Sequence, residues 1–311
     1  MLRLAFVFPG QGAQYVGMGK ELVSRYTSAK EIFERADEAL SFHLSRVCFE
    51  GPAEELDRTE VTQPAILTMS IAACEVLKAE GIRPVIAAGL SLGEYSALTA
   101  AGVLDFEAAV RLVAQRGRLM QAAVLPGRGM MAAVLGGEPE LVEAACDEAG
   151  QLGVVDIANY NCPGQVVISG EKEAVLHTGN LLKERGARVL PLSVSVPSHC
   201  RLMLDAAALL AEELERVDWQ SSEFPVVSNV NARETTSDQL QDVLVRQLYS
   251  PVRWEQSVEY IAHQVDYFVE VGPGKVLSGF IRKKARRQLL GNVEDLRSLN
   301  RTLEKLKEVS L

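Results

Sequence analysis

The chain has 311 residues, 48% hydrophobic and 23% charged, enough to bury a substantial core in one large domain or two smaller ones. A net charge of −9 disfavours nucleic-acid binding, and no apolar run reaches the ~20 residues that cross a bilayer. Five scattered cysteines without a C-x-x-C pair and four dispersed histidines argue against a disulfide framework and a metal centre; with an N-terminal MLRLAFVFPG too short for a signal peptide, they predict a cytoplasmic protein.

LAFVF at 4–8 reads as a buried strand ending in the PGQG turn at 9–12. Helices follow around Met18 to Arg25, Ser28 to Leu40 and Thr62 to Glu80, the last closing at Gly81. Val85 to Gly89 reads as a second strand, and Asp105 caps a long helix ending near Ala123. This alternation predicts an α/β architecture around a parallel sheet. The middle of the chain differs. A strand at 130–136, a helix at 139–150, strands at 154–160 and 165–170, a helix at 171–186 and a strand at 187–194 follow the order β-α-β-β-α-β. That is the ferredoxin-like order. We therefore expect an α/β-hydrolase-like large subdomain from 1–124 and 197–311, with a ferredoxin-like subdomain inserted at 125–196. The large unit resumes in a helix beginning near His199. Its last elements are a strand at FPVVSNV (224–230), a helix from Val243 to Tyr249, a strand at YFVEVG (267–272) and a basic helix at FIRKKARRQLL (280–290).

GLSLG at 89–93 fits G-x-S-x-G between the second strand and the helix-like EYSALTAAGVL. Strand, sharp turn and helix are the setting of a nucleophile elbow, where glycines clear room for a serine in a strained turn. An ordinary glycine-rich βα turn is the other reading of so short a motif. A serine nucleophile needs a base. His199 is the best placed, where the chain re-enters the large unit; His43, His177 and His263 lie in helix-like stretches among charges. No aspartate stands out as the orienting third group. Asp105 serves as a cap, and Asp147 and Asp156 fall in the inserted unit, which leaves a backbone carbonyl as the alternative. An oxyanion hole finds one N–H at Leu92, at a helix N-terminus, and a second around Gln11 in the PGQG turn.

Arg116 carries information about substrate. The apolar stripe of its helix runs through Ala109, Leu112, Val113, Leu119, Met120 and Ala123, and Arg116 falls on it. A buried guanidinium requires a counter-charge, from a protein acid or an anionic ligand. Its planar fork suits a carboxylate, which points to an acyl substrate with a free carboxylate. GPGK at 272–275 lacks the length and the Lys-Ser/Thr ending of a phosphate loop, which argues against nucleotide hydrolysis. Arg282, Lys283, Lys284, Arg286 and Arg287 gather at helical spacing on an acidic chain. They read either as a solvated face or as a landing site for an acidic partner.

With these residues assembled, the chain resembles the malonyl-CoA:acyl carrier protein transacylase family. The likeness runs from FVFPGQGAQ through GPAEEL, VTQPAIL, GLSLGEYSALTAAG, QRGRLMQ, NCPGQVVISG, VSVPSHC and LVRQLYSPVRW to VEVGPGKVL. The resemblance implies Ser91 as acyl-accepting nucleophile, His199 as its base and Arg116 as anchor of the malonyl carboxylate. It implies oxyanion-hole N–H groups from Gln11 and Leu92, and the backbone carbonyl of Gln247 orienting His199. Malonyl-CoA is then the substrate, with no bound cofactor, and acyl carrier protein is the partner, docking on the basic helix, in fatty acid biosynthesis. Two positions bear on specificity. Leu90 stands where the family most often has histidine, and Ser198 precedes His199 in VSVPSHC, a context that favours malonyl over methylmalonyl. An acyl-thioester hydrolase, a non-catalytic carrier-protein binding module and a freestanding acyltransferase of polyketide assembly are the rival readings. A monomer is the default expectation.

Overall fold

The computed structural model describes residues 2–310 except Ser193 and Ser195. The chain begins with β1 (Leu4–Phe8), then α1 (Lys20–Arg25), α2 (Thr27–Ala39), α3 (Leu44–Glu50), α4 (Ala53–Leu56) and α5 (Thr59–Ala79). Strand β2 (Ile86–Gly89) leads into α6 (Leu92–Ala100) and α7 (Phe106–Ala123). Next come β3 (Gly129–Leu135), α8 (Pro139–Ala149), β4 (Val155–Cys162), β5 (Gln165–Glu171), α9 (Lys172–Glu184) and β6 (Arg188–Pro191). The last third holds α10 (Leu204–Leu214), β7 (Val226–Val227), α11 (Leu240–Gln247), α12 (Trp254–Ala262), β8 (Tyr267–Val271), α13 (Val276–Ala285), β9 (Leu289–Val293) and α14 (Leu296–Ser310).

Two sheets organise these elements. Five parallel strands run in the order β7-β2-β1-β8-β9. All five residues of β1 are buried, as expected of a central strand covered on both faces. Its alternate side chains enter different cores. Leu4, Phe6 and Phe8 join the helices α2, α5, α6 and α7, while Ala5 and Val7 meet Trp254 and Val258 of α12 and Leu277 and Ile281 of α13. The second sheet is antiparallel, in the order β4-β5-β3-β6. One face, with Ala132, Val134, Ile157 and Ile168, packs on α8 and α9. The other presents Met131, Ala133 and Val167 toward the carboxyl ends of the parallel strands. The molecule is thus a mixed α/β fold with an α/β-hydrolase-like parallel sheet and a ferredoxin-like antiparallel one.

Some elements differ from expectation. Helices α3, α4, α12 and α14 and strand β9 are additional. His199 does not open a helix: its φ is 60°, and a 3₁₀ turn at Arg201–Met203 precedes α10. The basic run is not one helix. Arg282, Lys283 and Lys284 end α13, Arg286 and Arg287 lie in a 3₁₀ turn, and Leu289 and Leu290 enter β9 because pairing with β8 overrides their helix propensity. Of the strand expected over 187–194, Arg188–Pro191 forms, and Ser193 lies outside the described residues. Among the described residues, no helix is long and apolar enough to cross a membrane, and no cluster of three His, Cys, Asp or Glu side chains is placed to hold a metal.

Candidate active site

A cleft of about 460 Å³ lies between the two sheets. Its floor is built from the turns that follow β1, β2 and β8, with Gln11, Ser91, Leu92 and Val276; its roof comes from Met131, Asn159, Asn161 and Gln165. Ligands of open α/β sheets collect at these carboxyl ends.

Ser91 sits at the tip of the turn between β2 and α6, with φ 54° and ψ −107°. For a residue with a β-carbon this is a strained conformation, costing on the order of 1–3 kcal/mol. The flanking glycines are sterically required. A β-carbon on Gly89 would run into the carbonyl of Gly93, and one on Gly93 into the carbonyl of Phe8. The Ser91 hydroxyl makes no helix-capping bond; its oxygen lies 2.8 Å from His199 Nε2. His199 Nδ1 lies 2.7 Å from the Gln247 carbonyl oxygen. That oxygen only accepts, so Nδ1 carries the proton and Nε2 is left to accept from Ser91. Burial, with the nearby Arg116 charge adding to it, pushes the His199 pKa down to about 4. The imidazole is therefore neutral at pH 7.

Arg116 is 1% exposed. It donates from Nη1 to Gln63 Oε1 at 2.8 Å, and from Nη2 to Gln247 Oε1 at 2.9 Å and to Ser91 Oγ at 3.2 Å. Its guanidinium carbon stands 5.2 Å from the centre of the Tyr95 ring, a cation–π contact. Among the described residues, no carboxylate forms an ion pair with it, and its Nε–H has no partner. Leu92 begins α6 with its N–H in the unsatisfied first turn of that helix, and Gln11 lines the cleft with its side chain turned away to Thr59.

The structure thus brings Ser91, His199, Arg116, Gln11 and Leu92 to one cleft, with Gln247 buried behind them and bonded to His199 and Arg116. The basic residues lie elsewhere, on the surface around the end of α13, and Lys284 is held there by Glu255 and Glu259 of α12. Asp156 serves neither as orienting acid nor as cleft residue, because Arg201 engages both its oxygens. Three buried polar residues at the site went unread in the sequence: Gln63, Glu94 and Asn229. Glu94 is the lone charged residue in its stretch, the same kind of signal that marks Arg116, whereas Asn229 has Ser228 and Asn231 beside it and carries no such mark. Burial raises the Glu94 pKa to about 7, against hydrogen bonds from Asn229, Gln247 and Ser228 and the Arg116 charge that lower it.

The fold and the cleft define an acyl transferase: residues 5–303 match the family model described as acyl transferase domain. A malonyl CoA-acyl carrier protein transacylase of Escherichia coli (strain K12) is 51% identical over 287 residues, covering 91% of this chain and 93% of that protein. Its counterpart in Bacillus subtilis (strain 168) is 48% identical over 312 residues, covering 99% and 98%. A solved complex of a type II PKS acyl-carrier protein with its malonyl-transacylase matches with a TM-score of 0.95 and 45% identity, over 97% of this chain and 99% of that one. The chain belongs to the malonyl CoA-acyl carrier protein transacylase family.

Proposed function

We propose that the chain transfers a malonyl group from malonyl-CoA to the phosphopantetheine thiol of acyl carrier protein through a malonyl ester on Ser91. One observation carries this reading above the others. A buried arginine that forms no direct ion pair among the described residues stands 3.2 Å from the Ser91 oxygen, close enough to hold the far end of a three-carbon diacid unit. His199 Nε2 takes the Ser91 proton as Oγ attacks the thioester carbonyl. The N–H groups of Gln11 and Leu92 stabilise the resulting oxyanion, each such donor being worth about 2.7–4 kcal/mol in comparable sites. The intermediate collapses, and His199 returns the proton to the leaving CoA sulfur. The carrier thiol then gives its proton to His199 and attacks the ester, and Ser91 recovers a proton when the new thioester leaves. Neither step requires a cofactor or metal.

The same reading extends to organisation. The inserted unit at 125–196 roofs the cleft over the large unit of 1–124 and 197–311, and the protein works as a cytoplasmic monomer in fatty acid biosynthesis. Polyketide assembly is the second reading, favoured by the likeness to the type II PKS complex. Incubation with malonyl-CoA and holo acyl carrier protein tests the function. Malonyl carrier protein should form as CoA is released, whereas CoA release with the carrier unchanged would mean hydrolysis.

Two further outcomes follow from the geometry. Because the His199 pKa is held at about 4, lowering pH protonates the base only there. The kcat/KM of Ser91 acylation should stay flat from pH 8 to about 5 and fall tenfold per unit below about 4. A midpoint near the ordinary histidine value in a rapid-quench profile would contradict the buried, neutral base. We place carrier docking on Arg282, Lys283, Lys284, Arg286 and Arg287. Reversing the exposed Arg282 and Arg287 to glutamate should raise the carrier-protein KM about tenfold and leave the CoA half-reaction unchanged. Equal loss in both half-reactions would move the docking site elsewhere.

A further inference from the structure

Glu94 is a buried acid that the transfer chemistry leaves unused. It is the third residue of α6, where a glutamate after a serine N-cap ordinarily reaches back to the N–H of the cap. Here that N–H goes to another partner: Ser91 N–H donates to Asn229 Oδ1 at 2.6 Å. Glu94 Oε2 instead accepts the backbone N–H of Asn229 at 3.0 Å and the Nε2–H of Gln247 at 2.7 Å. These two residues grip the nucleophile's own backbone from both sides. Besides its bond to the Ser91 N–H, Asn229 donates through Nδ2 to the Gly89 carbonyl at 2.6 Å, and Gln247 Nε2 donates to the Ser91 carbonyl at 3.1 Å. A backbone at φ 54° and ψ −107° persists only where its surroundings over-determine it. Asn229 is also tied through its carbonyl to the Arg253 N–H and Gln247 to Arg116, but the partner the two share is a single carboxylate oxygen, Glu94 Oε2.

We infer that Glu94 is a positioning residue for the nucleophile, its Oε2 holding Asn229 and Gln247 so that together they clamp Ser91 in the strained elbow. The inference rests on Ser91 being the nucleophile. It distinguishes the acceptor oxygen from the charge. Both bonds end on one oxygen, which an amide also possesses, so Glu94→Gln preserves the clamp and Glu94→Met, of similar length, removes it. Arg116 is also held through Nη1 by Gln63, which Glu94 does not touch, so binding of the malonyl carboxylate should be spared in both variants.

Single-turnover malonylation of Ser91, followed by intact mass against malonyl-CoA concentration, tests this in variants whose melting temperatures show them folded. Glu94→Met should lower the limiting acylation rate about 100-fold, the scale of a misplaced reacting group. Its half-saturating malonyl-CoA should stay within about threefold of wild type, and Glu94→Gln should recover the rate to within about tenfold. If Glu94→Met does not fold, Asn229→Ala cuts the same clamp one residue further on and should show the same split. Equal rates in Glu94→Met and Glu94→Gln would overturn the inference, because a side chain that merely fills space is served by either. So would an acylation rate within threefold of wild type in Asn229→Ala. Absence of any adduct in the wild type would instead refute Ser91 as nucleophile.

Discussion

Arg116→Leu is expected to lower kcat/KM for malonyl-CoA about 1,000-fold while leaving acetyl-CoA nearly unchanged, so that the preference between the two collapses. Removing one partner from a desolvated charge pair costs about 2–5 kcal/mol, and each 1.36 kcal/mol is tenfold in rate. In the free protein the guanidinium is held by amide oxygens of Gln63 and Gln247, neutral partners that orient it without neutralising it. On the proposed reading a malonyl carboxylate would supply the counter-charge, and an acetyl group would not. Arg116→Lys keeps a cation but loses the planar fork, so it should fall between the two. Acylation rates with both thioesters check this. An unchanged malonyl-to-acetyl ratio in Arg116→Leu would remove Arg116 from substrate recognition.

Ser91→Ala is expected to abolish the covalent adduct and to reduce transfer to carrier protein by roughly 10⁴-fold or more, as loss of the nucleophile does in related acyl-transfer sites. Stability should respond differently according to the replacement. Alanine keeps a β-carbon at φ 54° and so keeps the strain, whereas Ser91→Gly releases it and should be more stable than Ser91→Ala by about 1–3 kcal/mol. Denaturant melts of the two inactive proteins measure that difference. An equal or lower stability of Ser91→Gly would mean that the elbow is unstrained.

The parts of this site legible in the sequence are those where one residue breaks a strong local pattern. G-x-S-x-G after an apolar strand marks the elbow, and an arginine on an apolar helix stripe marks the proposed anchor. Glu94 breaks its pattern too, but the residues it holds behind Ser91 are not legible that way. FPVVSNV reads as a continuous strand, but only Val226–Val227 pairs, with β2, and the chain then turns so that Asn229 reaches the elbow. That contact spans 138 positions and belongs to tertiary packing. The fold shows the same limit. Strand β9 reads as the tail of a basic helix because Gln288, Leu289 and Leu290 are good helix formers, and pairing beside β8 decides their conformation. His199 reads as a helix start because an apolar helical pattern follows, whereas its backbone N–H is tied to the Leu248 carbonyl at positive φ.

The central claim, a malonyl-serine intermediate at Ser91, is tested most directly by the intact mass of the wild-type protein after brief exposure to malonyl-CoA without carrier protein. The expected result is a single malonyl-sized gain mapping to Ser91, weak with acetyl-CoA and discharged on addition of holo acyl carrier protein. Free CoA accumulating with no gain in mass would contradict it and mean that water, not a carrier thiol, is the acceptor.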